Sequence, residues 1–160
     1  MKIIQKRYLK YYGVDPYDKK QFDIITCLFS SIGYVKNYTN LRKTIKCFSN
    51  HLKSGGIVII EPFFDNKSFV NKTPHARFVD KPEIKLARIN VSKKSGNTAI
   101  LDFHFFIATK NGVEYFRDKN ELGLFDIKKF LKIMEESGFR AKFIKNGLLP
   151  KRGLYVGVKI

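Results

Sequence analysis

Two polar points end apolar runs of this chain at places where chemistry could occur. Ser30-Ser31 closes the run Phe22–Phe29, and Glu61 closes the run Ile57–Ile60. In open α/β sheets, ligands sit at the carboxyl ends of the strands. Leu28, Phe29 and Ser30 on one strand, and Glu61 on the next, are therefore candidate ligand-facing positions. Leu28 and Phe29 suit core packing as well, and Ser30 and Ser31 suit a plain loop. Glu61 can orient an amino group or cap a loop. The 3 histidines are dispersed. His51 falls at a helix end, where the helix dipole favours a cation. His75 lies in an irregular stretch. His104 lies in a strand, where it can face a substrate cavity or serve the structure. No serine, cysteine or histidine grouping makes a nucleophilic triad. Cys27 and Cys47 form no CxxC motif or His/Cys cluster, so no metal site is expected and the setting is a reduced, cytoplasmic one.

The elements that must position these residues follow from the pattern. Phe22–Phe29 is a nearly unbroken apolar run, which suits a strand buried on both faces. Asn37, Thr39 and Asn40 can each cap the next helix. Its apolar stripe is Leu41, Ile45, Phe48 and Leu52, with Arg42, Lys43 and Lys46 off the stripe. Ser54-Gly55-Gly56 reads as the helix stop, and Ile57–Ile60 as a second buried strand. This is a βαβ unit. Before it, Met1–Val14 reads as a short helix and a strand over Leu9–Val14, ended by Asp15-Pro16.

From Lys67 to Phe125 the pattern changes. Ile84–Val91, Thr98–Ala108 and Val113–Asp118 read as antiparallel strands. Residues 92–97 form a polar turn, and Asn111-Gly112 a hairpin. This segment is too long for an ordinary loop and should form its own small sheet. Helical spacing returns after Asp126, a cap, with Ile127, Phe130, Leu131 and Met134, and Gly138 stops that helix. Phe139–Ile144 and Leu154–Val158 close the chain as antiparallel neighbours.

With 160 residues, 44% of them apolar, the chain suits one domain, residues 1–160, with 67–125 inserted. It has no run of apolar residues long enough for a transmembrane helix, and no signal-peptide core follows its basic N-terminus. The net charge of +17 is large, but the lysines are scattered and no run of five basic residues occurs. That pattern suits a solvated surface, and nucleic acid is not the favoured partner.

Three segments carry a resemblance to a known family: FDIITCLFSSIGYV at Phe22–Val35, HLKSGGIVIIEPFF at His51–Phe64, and RGLYVGV at Arg152–Val158. The chain is similar to class I S-adenosylmethionine-dependent methyltransferases, and within them to the nucleotide-amino-sugar N,N-dimethyltransferases. The resemblance implies an α/β fold: part of a Rossmann-like class I methyltransferase sheet, with the antiparallel β layer inserted. Leu9–Val14 would be its third strand, Phe22–Phe29 the fourth, Ile57–Ile60 the fifth, Phe139–Ile144 the sixth and Leu154–Val158 the seventh. The inserted layer would cover the substrate and can support dimer contacts.

The same resemblance assigns roles. Asp15 would lie near the cofactor's adenine, or simply be a turn residue before Pro16. Leu28, Phe29 and Ser30 would lie beside the methionine end of S-adenosylmethionine. Tyr34, in the GY pair, would border the acceptor or pack at a helix entry. A diphosphate-bearing sugar would suit a basic site, for which Arg77, Arg88, Arg117 and Arg152 are candidates, each equally readable as a surface or salt-bridge arginine. With Tyr34, Glu61 and His104, Arg152 completes the candidate acceptor set. The implied activity is N-methylation of a small amino-sugar-type acceptor. The family's glycine-rich turn and ribose-binding acid would precede Met1, so cofactor binding by this chain alone is expected to be poor, and the alternative reading is a non-catalytic remnant that acts as a binding or dimerisation partner. The Phe22–Phe29 strand would then be an apolar edge, paired by another polypeptide, a second copy, or Leu9–Val14.

Overall fold

The computed structural model describes residues 21–149 and 152–160. The expected elements in Met1–Val14, and Asp15 with them, lie outside the described residues. The first sheet contains β1 (Phe22–Cys27), β2 (Leu52–Ile60), β7 (Phe139–Ile144) and β8 (Leu154–Lys159), in the order β1-β2-β8-β7. β1 and β2 are parallel, while β8 runs antiparallel to both β2 and β7. Helix α1 (Tyr38–His51) connects β1 to β2, and α2 (Ile127–Glu136) precedes β7.

The helix starts follow capping chemistry. Asn37 Oδ1 accepts the Asn40 N–H at 2.9 Å, and Asp126 Oδ1 accepts the Lys129 N–H at 3.0 Å. Leu41, Ile45 and Phe48 of α1 meet Phe130, Ile133 and Met134 of α2 over one sheet face, which supplies Ile25, Val58, Ile60, Phe139 and Tyr155. Each such large side chain contributes about 1.5–3 kcal/mol by leaving water. The Phe130 and Tyr155 rings stack with centroids 4.0 Å apart. Gly157 allows the close approach, since a Cβ there would lie 2.8 Å from Met134 Cε.

β1 is not buried on both faces. Both helices join the core on one face, and among the described residues β1 has one strand neighbour, so Phe22 and Ile24 are exposed and Ile25 is buried. The Gly-Gly pair does not stop α1 either. The helix ends at His51, Leu52 is already extended, and Gly55 at φ +78° marks an irregularity inside β2. There, Phe22 pairs with Leu52 but Ile24 with Ile57. This is a bulge, the use of glycine that a left-handed residue within a strand implies.

The second sheet is a four-stranded antiparallel meander, β3 (Thr73–Lys81), β4 (Ile84–Ser95), β5 (Thr98–Thr109) and β6 (Gly112–Gly123). Sequence pattern showed three of these strands. β3 contains Pro74 and is almost entirely exposed, so it has no apolar alternation to read. Residues 92–95 continue β4 rather than turning, because Ser92 is buried in the sheet; the turn is confined to Gly96-Asn97. The hairpin near Asn111-Gly112 forms, with Thr109 paired to Gly112.

Candidate functional site

The site grows from the carboxyl ends of β1 and β2. The Glu61 N–H donates to Cys27 O at 2.8 Å, which carries the pairing one step past the ladder. Beyond it the chain takes a costly path. Phe29 and Ser30 are consecutive left-handed residues, at φ 53° and 63°, and neither is glycine. Such backbone costs about 1–3 kcal/mol per residue and persists only where its surroundings enforce it.

Those surroundings are specific. Glu61 Oε2 accepts the Phe29 N–H at 2.7 Å. Arg152 donates through Nη1 to Ser30 Oγ at 2.7 Å, and Ser30 Oγ donates to Pro62 O at 3.4 Å. Leu28 O accepts both the N–H and the hydroxyl of Ser31, at 3.1 and 2.7 Å. The outcome is a buried Ser30 and a Phe29 side chain that is 76% exposed at the strand end.

Glu61 is fully buried, and its second oxygen, Oε1, has no hydrogen-bond partner among the described residues. A buried carboxylate oxygen without a donor is costly and is ready to accept one. Arg152 lies over the rings of Phe63 and Phe64, 5.0 and 5.4 Å from their centroids. Burial pushes its guanidinium below the ordinary range, and the Glu61 carboxylate opposes that shift. Beside this network is a cavity of about 170 Å³, lined in part by Phe63, Phe64, Phe125, Phe143, Arg152 and Tyr155. A larger open hollow of about 630 Å³ lies far off, between the β3–β4 and β5–β6 turns near Glu83 and Asn111, away from this network.

A short 3-10 turn, Ser31–Val35, carries Tyr34 towards the second sheet, where its hydroxyl donates to Asn120 Oδ1 at 2.8 Å. Leu28, Phe29, Ser30, Glu61 and Arg152 are thus gathered around one edge, while Tyr34 reaches from the following turn to the second sheet. His104 is not among them. Its Nδ1 lies 2.7 Å from the Tyr115 hydroxyl, and the register puts it on the face opposite Asn120. Arg117 shares that outer face and is held by Asp102. Sequence reading missed Asn120. The alternation Asp118, Asn120, Leu122 on one face of β6 was the available signal.

Among the described residues no helix is long and apolar enough to cross a membrane. No cluster of His, Cys, Asp or Glu among them is placed to hold a metal. The turn after β1 has a single glycine, Gly33, packed on Leu122. Among the described residues the β1–β2 edge thus holds a buried carboxylate and a fixed left-handed turn, and no glycine-rich turn follows β1.

No family model matches the sequence. The crystal structure of Streptomyces venezuelae DesVI superimposes with a TM-score of 0.85 at 26% identity, covering 99% of this chain and 70% of that one. That of CalS10, an amino pentose methyltransferase solved with S-adenosylmethionine bound, superimposes with a TM-score of 0.83 at 20% identity, covering 99% and 70%. The fold is that of a class I methyltransferase. In sequence, this methyltransferase fold is similar to the nucleotide-amino-sugar N,N-dimethyltransferases. It is 30% identical over 141 residues to the dTDP-3-amino-3,4,6-trideoxy-alpha-D-glucopyranose N,N-dimethyltransferase of Streptomyces venezuelae. That match covers 87% of this chain and 59% of the relative.

Proposed function

We propose that this chain carries the acceptor side of an S-adenosylmethionine-dependent N-methyltransferase whose acceptor is an amino sugar borne on an anionic nucleotide. The observation that carries the reading is the buried Glu61 carboxylate, with one oxygen holding the left-handed Phe29 and the other, at the ligand edge of the sheet, unpartnered among the described residues. The relative's name, which specifies a dTDP-linked amino sugar and N,N-dimethylation, supports the choice of acceptor.

S-adenosylmethionine, when bound, supplies a methyl group already activated on a sulfonium. The protein therefore needs no nucleophile of its own; its work is orientation and exclusion of water. Leu28, Phe29 and Ser30 would hold the methionine end, and Asp15 the adenine end. Glu61 Oε1 would accept an N–H of the acceptor amine and so aim its lone pair. Tyr34 would border the sugar. Arg152 fixes Ser30, and through it the loop. His104 faces away and has no part in this reading.

The exposed edge of β1, with Phe22 and Ile24, supports a further strand there, from a second chain or from Leu9–Val14. Phe78, Phe106, Val113 and Tyr115, exposed on the second sheet, support a homo-oligomer. We assign the chain to the cytoplasm, as one unit with 67–125 inserted. Mixing the chain at high concentration with millimolar S-adenosylmethionine, which offsets weak cofactor binding, and a dTDP-amino sugar tests the reaction: a mass gain of one or two methyl groups on the sugar is expected, and an unchanged sugar with S-adenosylmethionine bound contradicts it.

A further inference from the structure

The first sheet has one covered face and one bare face, and the strand register assigns residues to each. On the covered face, Ile25, Val58, Gly157 and Ala141 form a row beneath α1 and α2. Two rows lie on the opposite face. One runs Ile24, Ile57, Val158, Arg140, and the next Thr26, Ile59, Val156, Lys142. None of these residues is buried, and Ile24 is 58% exposed. None of them belongs to the core formed with the helices.

A sheet built on a parallel crossover, such as β1-α1-β2, is apolar on both faces because helices cover both. The bare rows keep that composition without the cover. Ile24, Ile57, Ile59, Val156 and Val158 form one apolar patch across three strands. A contiguous patch of this kind marks an interaction surface. Its border on β7 is charged. Arg140 and Lys142 close the two rows, and both are exposed. Among the described residues neither has a carboxylate partner, whereas Arg42, Lys53 and Arg117 each have one.

The patch defines its occupant. Arg140 and Lys142 are two residues apart on one face of a strand, about 7 Å. Positions i and i+4 of a helix are about 6 Å apart along its axis. Two carboxylates at that spacing, on a helix laid along the strands, meet both cations while its apolar stripe covers the isoleucines and valines. A helix about 10 Å wide spans β2 and β8, with strands ~4.8 Å apart, and reaches β7 with one flank and β1 with the other. Residues 1–20 hold six Lys or Arg and two Asp, and a second copy brings the same +17, so neither complements the patch in charge. We propose that the bare face docks an amphipathic helix of a partner polypeptide, apolar towards the sheet, with a pair of Asp or Glu at i and i+4 over Arg140 and Lys142. Docking shields Ile24 and so steadies β1, whose carboxyl end leads into the left-handed turn at Phe29.

Two synthetic amphipathic helices serve as probes, identical in their leucine stripe and differing only in a Glu pair or a Lys pair at i and i+4 on one flank. Each is titrated into the full chain by fluorescence anisotropy. Saturable binding of the Glu helix is expected, about tenfold tighter than that of the Lys helix. Arg140→Glu with Lys142→Glu should invert the preference, and since the chain stays basic only local charge can do so. Lys128→Glu with Lys132→Glu, an equal change on the exposed side of α2, should leave the preference as it was. No binding of either helix, equal affinity for both, or the same response to the two charge reversals overturns the proposal. The other occupants are read in the free chain, from relaxation of the Ile57 and Ile59 methyls by a soluble paramagnet. Exposed methyls at every concentration are expected. Shielding at high dilution would mean that the chain's own residues cover the face, and shielding that grows with concentration that a second copy does; either result overturns the partner helix.

Discussion

One carboxylate oxygen of Glu61 accepts the backbone N–H of Phe29 at 2.7 Å, and the other is buried with no partner among the described residues. A single side chain thereby holds a strained turn and presents an unused acceptor. These two tasks separate by substitution. Glu61→Ala removes the acceptor of the Phe29 N–H and should lower stability by about 1–3 kcal/mol in urea denaturation. Glu61→Gln keeps an oxygen for that N–H and should stay within about 1 kcal/mol of the parent, yet lose most of its methyl transfer. Equal stability loss in the two variants would contradict the assignment of Oε2 as the structural acceptor.

Tyr34 and Asn120 join the two sheets through one hydrogen bond of 2.8 Å. Tyr34→Phe and Asn120→Ala should each cost about 1 kcal/mol, and the double variant should cost less than their sum by about 0.5–1.5 kcal/mol. Full additivity in denaturant melts would mean that the contact carries no energy.

Burial pushes the Cys27 thiol up from 9.0 to about 12. The folded-state value is thus above that of the unfolded chain. The resulting stability is fully present below about pH 9 and is lost as pH rises towards about 12. Cys27→Ser, which lacks this titration, should show a flatter stability curve across that window. In the native chain the half-buried Cys27 should also react with iodoacetamide at pH 8 more slowly than in the urea-unfolded chain, and equal rates would contradict its raised pKa.

The α2 contact with the sheet is close at Gly157 and aromatic at Phe130. Phe130→Ala should cost about 3–5 kcal/mol. Gly157→Ala should cost about 1 kcal/mol, since the Met134 Cε can swing aside while Val58 Cγ1 and Phe139 Cβ, 3.1 and 3.2 Å from the new Cβ, must give slightly. Thermal melts read both, and a neutral Gly157→Ala would show that α2 can shift.

Much of the first sheet was legible because its signals are local. Asn37 and Asp126 announce their helices, the apolar runs of β1 and β8 are continuous enough to place, and β7 alternates between apolar residues and Arg140 and Lys142. The candidate edge was legible in outline, since Ser30 and Glu61 each end a strand. What escaped the sequence depends on pairs far apart in the chain. Nothing near Phe29 says that Glu61 will hold it in a left-handed turn that non-glycine residues rarely adopt. Burial of β1 on both faces was inferred from its apolar run alone, which does not reveal that both helices join the core on one side. β3 was invisible because Pro74 and solvent exposure erase its alternation.

The central claim is that the β1–β2 carboxyl edge faces the methyl donor. The most direct measurement is a titration of the ¹⁵N-labelled chain with S-adenosylhomocysteine, following backbone amide shifts to millimolar ligand. The account predicts shifts concentrated at Phe29, Ser30, Gly33 and Glu61, with the outer face of the second sheet unaffected. No change at these amides, or changes confined to the outer face of α1 or to the β3–β4 and β5–β6 turns, would contradict it.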